Sequence, residues 1–97
     1  MAAYVIAQVT VNDPVRYADY RAMVPASLAA YGGKFIARGG ETEVLEGEYD
    51  LPGRFVIMEF PSVERAKAWW ASEEYRAAKA LRQATSTSVL IVTEGIG

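Results

Sequence analysis

Residues 31–40 read Tyr31-Gly32-Gly33-Lys34-Phe35-Ile36-Ala37-Arg38-Gly39-Gly40, and two glycine pairs there bracket a short alternating run. Gly32 and Gly33 can adopt φ > 0, the conformation a helix needs where it ends. Gly39 and Gly40 can do the same, or admit a close backbone, where a strand turns. Period-two alternation sends Lys34, Ile36 and Arg38 to one face of a strand, and Phe35 and Ala37 to the other. The stretch is thus a helix stop and a strand, with a strand and a helix before it and strand, helix, strand after it.

Upstream, Tyr4 to Val11 alternates as a strand does. Val5, Ala7, Val9 and Val11 form an aliphatic face, while Tyr4, Ile6, Gln8 and Thr10 form a mixed one. Asp13 is a good N-cap, and Pro14 suits the first helical position, where no amide donor is needed. Tyr17, Tyr20, Val24, Leu28 and Tyr31 follow at spacings of three and four, the stripe of an amphipathic helix. Pro25 cannot bond back to the Arg21 carbonyl, so a kink or a break and restart is expected there. The tyrosine hydroxyls are expected to reach polar partners at the edge of the packing.

Downstream, Glu41, Glu43, Glu46, Glu48 and Asp50 crowd one segment. Thr42 to Leu45 is expected as a short extra strand and Glu46-Gly47 as its turn. The acids do not match the spacing of a calcium loop and read as a solvated run. Leu51-Pro52-Gly53 reads as a turn. Arg54 to Phe60 is a strongly apolar strand, with Arg54 as an ion-pair partner at its start. Ser62 and Ser72 cap two consecutive helices, about Val63 to Ala71 and Glu73 to Ala84. In the second, Tyr75, Ala78 and Leu81 carry the apolar side, while Arg76, Lys79 and Arg82 suit the C-terminal dipole. Thr87 to Thr93 is the last strand.

The order β-α-β-β-α-β is that of a ferredoxin-like α+β sandwich, an antiparallel sheet with its helices on one face. It spans residues 1–97 as one domain, since 97 residues leave no room for a second core. Ile6, Ile36, Ile57 and Ile91 would meet water on the other face, and a second copy of the chain is the simplest cover. A homodimer is therefore expected.

Composition narrows the chemistry. A net charge of −2 gives no electrostatic footprint for nucleic acid or an anionic membrane. The chain has no cysteine and no histidine, which removes disulfides, thiolate nucleophiles, zinc fingers and the usual imidazole base. No cofactor and no metal site is expected. The N-terminal run lacks a basic region and is broken by Gln8, unlike a signal peptide, and no apolar run approaches the roughly 18–20 residues that span a bilayer. A soluble, cytoplasmic protein is expected.

Nearly the whole chain resembles a known family. Asp13-Pro14 before the tyrosine-bearing helix, Tyr31-Gly32-Gly33-Lys34-Phe35, Arg38-Gly39-Gly40, Glu46-Gly47, Arg54 and Glu59-Phe60-Pro61-Ser62 look like the domain of unknown function 1330 family. Ala68-Trp69-Trp70, Ser72, Glu74-Tyr75, Arg82 and Glu94-Gly95 extend the match, with Trp69 and Trp70 bulkier than that pattern. The resemblance implies a dimeric α+β barrel in which two sheets face each other, and no particular activity. Similar barrels host cofactor-free monooxygenases, haem enzymes, lactone isomerases and binding proteins.

Two functions are carried forward. One is a small dimeric protein that binds a small organic molecule or has a structural role. The other is a cofactor-independent enzyme, monooxygenase- or isomerase-like, acting on an acidic carbon or a phenol. A site is expected between the sheets or under the helices beside the opening stretch. Period-two alternation places Gln8, Arg38 and Glu59 on one face with Tyr4, Ile6, Ile36 and Ile57. Arg38 can hold a carboxylate or enolate with its planar fork, and Glu59, if half buried beside apolar neighbours, can act as a base. Arg38 and Glu59 are the catalytic candidates. Tyr4, Gln8, Tyr20, Tyr31 and Arg38 are the substrate-binding candidates, and Tyr20 or Tyr31 could donate to an oxyanion. The structural alternative is that Arg38 and Glu59 pair with each other.

Overall fold

The first strand, β1 (Ala3–Val11), is central because one of its faces is wholly small and aliphatic. Ala3, Val5, Ala7 and Val9 are buried under the helices, while Tyr4, Ile6 and Gln8 point to the open face of the sheet. The computed structural model describes residues 1–51 and 53–97. The turn expected at Leu51-Pro52-Gly53 includes Pro52, which lies outside the described residues.

Helix α1 (Pro14–Ala29) starts as its sequence predicts, with the Asp13 carboxylate accepting the Arg16 amide at 3.2 Å. It ends at the first glycine pair. The Gly33 amide reaches the Leu28 carbonyl at 2.9 Å and the Gly32 amide reaches the Ala29 carbonyl at 3.2 Å, with Gly32 at φ 74°. Gly33 serves a different need, since a Cβ there would lie 2.6 Å from a ring carbon of Phe60. The expected break at Pro25 does not occur, and the helix runs through. The Arg21 carbonyl that Pro25 leaves free accepts from Arg38 Nη2 at 2.6 Å instead.

Strand β2 (Lys34–Arg38) pairs antiparallel with β3 (Arg54–Phe60), β3 with β1, and β1 with β4 (Ser86–Glu94), giving the sheet order β2-β3-β1-β4. Between β2 and β3 the expected extra hairpin is not formed. Residues 40–51 contain no strand, and Tyr49 folds back to donate its hydroxyl to Gln8 Oε1 at 2.6 Å. Five acids in that segment repel one another and gain nothing from ladder pairing. Helices α2 (Val63–Trp70) and α3 (Glu73–Thr85) are capped by Ser62 and Ser72, as their sequence predicts. Trp69 is fully buried, stacked on Tyr75 at 4.0 Å and donating its Nε1–H to Ser27 Oγ at 3.0 Å. No described helix is long and apolar enough to cross a membrane.

Candidate functional site

The helix side of the sheet does not pack shut everywhere. Tyr17, Tyr20 and Arg21 of α1, Arg82 of α3, Arg38 of β2 and Arg54 of β3 surround a cavity floored by Ala7, Val9, Val56 and Met58. Its inner space is about 20 Å³, enough for a water-sized group. A wider outer groove of about 380 Å³, lined by Val11, Pro14 and Ala18, shares Tyr17, Arg21 and Arg54 with it.

A β-bulge decides who lines this cavity. The register of β2 on β3 shifts between Phe35 and Ala37, so that Phe35 opposes Met58 and Arg38 opposes Val56, both on the helix side. Strict alternation predicted the reverse for Arg38. It therefore shares no face with Gln8 and Glu59, and the expected set Gln8, Arg38, Glu59 is not brought together. Glu59 lies on the open face beside Lys34, 3.3 Å from its ammonium. The expected Arg38–Glu59 pair is absent for the same reason. Arg38 instead lies 4.1 Å over the Phe35 ring and bonds the Arg21 carbonyl.

The other candidates divide likewise. Tyr4 sits on the open face opposite Glu59 and Thr93. Gln8 is on that face too, occupied by Tyr49. Tyr31 is at the surface, donating to Glu74 at 3.0 Å. Of Tyr4, Tyr20 and Tyr31, Tyr20 alone lines the cavity. Its hydroxyl is 2.9 Å from that of Tyr75, which in turn accepts from Arg82 Nη1 at 2.6 Å.

Arg82 is the residue that sequence reasoning missed. It is 5% exposed, and its Nε–H has no acceptor among the described residues. Leaving a buried charge without its counter-charge costs about 3–5 kcal/mol. Arg54, expected in an ion pair, stands 5.5 Å over the Tyr17 ring. The ion pairs among the described residues are Lys34–Glu59 and Glu73–Arg76, and both lie elsewhere. Burial, first of all, holds the Tyr17, Tyr20 and Tyr75 hydroxyls above their ordinary value, so these groups stay neutral near pH 7. Burial, then the Arg21 charge, draws Arg38 below the usual guanidinium range. No group of three or more metal-binding side chains occurs among the described residues.

A four-stranded antiparallel sheet with its helices on one side, enclosing a tyrosine- and arginine-lined cavity, defines a ferredoxin-like α+β domain. The chain belongs to the family described as domain of unknown function (DUF1330), whose pattern matches residues 2–96. Among curated proteins none matches it in sequence. Similar solved structures include a protein of unknown function from Rhodopseudomonas palustris, 22% identical, with a TM-score of 0.79 over 99% of this chain and 83% of that one. A dimeric ferredoxin-like protein of unknown function from a Jannaschia species is 13% identical, with a TM-score of 0.73 over 98% of this chain and 100% of that one. SnoaB, a cofactor-independent oxygenase from Streptomyces nogalater, is 18% identical, with a TM-score of 0.67 over 99% of this chain and 94% of that one. At these identities the likeness is one of fold.

Proposed function

We propose that the protein is a homodimer that binds a small organic molecule in the helix-side cavity of each subunit. The observation that carries the binding reading is the cavity itself: an apolar floor with a few convergent polar groups, the usual composition of a ligand site. The dimer is supported by the open sheet face, where Ile36, Val89 and Ile91 are each half exposed or more, and by the dimeric relative of the same fold. The oxygenase relative points toward the enzymatic alternative. That chemistry would want a base beside the substrate, whereas the cavity offers hydroxyl and guanidinium groups and Glu59 stands on the opposite face. Binding is the better-supported reading.

NMR screening of the isotope-labelled protein against small organic acids, amides and phenols tests it. A binder should shift the resonances of Tyr20, Val56 and Arg82. Shifts confined to Ile6, Ile57 and Ile91 would place the ligand on the open face and overturn the proposal. Light scattering should return a mass near twice 10.6 kDa, and a monomer at micromolar concentration rules the dimer out.

A further inference from the structure

The charge of the cavity is unmatched. Arg82, Arg38, Arg54 and Arg21 all line it, and no carboxylate does. Neither ion pair among the described residues involves any of the four. The buried tyrosines are neutral and cannot serve as counter-ions. Arg82 is the most constrained, since it is buried, donates from Nη1 to the neutral Tyr75 hydroxyl, and keeps an unused Nε–H. An arginine fork binds carboxylates through two parallel N–H groups, and a buried fork left half empty is the arrangement such a ligand completes.

Size and polarity narrow the class. The inner space of about 20 Å³ takes one oxygen-sized group, so the body of the ligand must lie outside it, against apolar surface that suits an organic molecule better than inorganic phosphate. The outer groove offers Val11, Pro14 and Ala18 to an organic body, and shares Arg21 and Arg54 with the inner space. Resting on the small-molecule reading above, the geometry points to a small organic monocarboxylate as the ligand. Its negative charge meets Arg82 at the inner end, and its apolar body lies in the outer groove beside Tyr17.

The test compares carboxylates with their neutral amides on the full chain. Benzoate and hexanoate are titrated by thermal shift and calorimetry beside benzamide, hexanamide and inorganic phosphate. The carboxylates should raise Tm with concentration, by mass action on the folded state. Their affinity should fall as salt is added, since part of it is Coulombic. The amides and phosphate should bind at least tenfold more weakly. Arg82→Met should lose carboxylate binding at least tenfold while its Tm stays at or above that of the parent, because an unpaired buried charge is removed. Arg54→Met, on the half-exposed rim, gives the same reading if Arg82→Met does not fold, and should weaken benzoate severalfold.

Amides that bind as well as the acids overturn the carboxylate inference and leave the small-molecule reading standing. Phosphate stabilising as strongly as benzoate also overturns it. If neither acids nor amides bind, this inference falls, and the NMR screen decides separately whether the cavity takes any ligand.

Discussion

Arg82 follows Tyr75 and Ala78 on α3 and precedes Thr85, at spacings of three, four and three, and all four side chains are buried. A charge on that stripe is packed against the core rather than displayed at a helix end, and its Nη1 is held by the Tyr75 hydroxyl. The same neighbourhood sets the alkaline limit of the fold. Burial holds the Tyr17, Tyr20 and Tyr75 hydroxyls above the free tyrosine value of 10.0, so the folded state keeps these protons when the unfolded chain has lost them. Their contribution to stability is fully present below about pH 10 and is lost as the pH rises further. Thermal melts should therefore show no loss from this source near neutrality and a steep fall in Tm above about pH 10. Tyr20→Phe should make that fall shallower. A Tm that is flat through the tyrosine range would show that these hydroxyls titrate as if free.

At the scale of elements, Pro25, the Arg21 carbonyl and Arg38 form one device linking α1 to β2. A proline inside a helix costs about 3 kcal/mol, partly through the carbonyl it orphans. Here a guanidinium from the bulged strand occupies that carbonyl. Pro25→Ala restores an amide donor, so Arg38→Ala should cost less in the Pro25→Ala background than in the parent. A double-mutant cycle by urea unfolding should give a coupling of about 0.5–1.5 kcal/mol. Strictly additive effects would separate the two residues. The elements themselves were legible beforehand. Caps at Asp13, Ser62 and Ser72, the glycine stop and the apolar run of β3 are local signals, and each element formed within a residue or two of its expected bounds. The hairpin at Thr42 was misread because its alternation had no partner strand to pair with.

For the whole molecule, the open face of the sheet is the remaining imbalance. Ile91 is 54% exposed and Val89 58%, on the face where Ile6 and Ile57 oppose each other across the β1–β3 ladder. If two such faces meet, a charge at the centre must be desolvated. Ile91→Lys should therefore convert the assembly to monomers in light scattering, and lower Tm and remove its dependence on protein concentration. An unchanged dimer mass would put the interface elsewhere. Tyr49, seated on Gln8, covers one end of the face with the chain's own loop, so the surface left for a partner lies toward β4.

The stretch from Tyr31 to Gly40 shows where sequence stops. Its glycines fixed the end of α1 and its five central residues a strand, because helix stops and strand propensity act over a few residues. From the order of elements and the lack of histidine and cysteine, the sequence also determined the ferredoxin-like class and the chemistry closed to it. Which face Arg38 takes was decided by a bulge, and a bulge depends on the register against β3, twenty residues away. One slipped residue moved Arg38 from the open face to the cavity and parted it from Glu59. Only the packed structure could bring it to the same cavity as Arg82, because the two are joined through the sheet and α3 rather than along the chain.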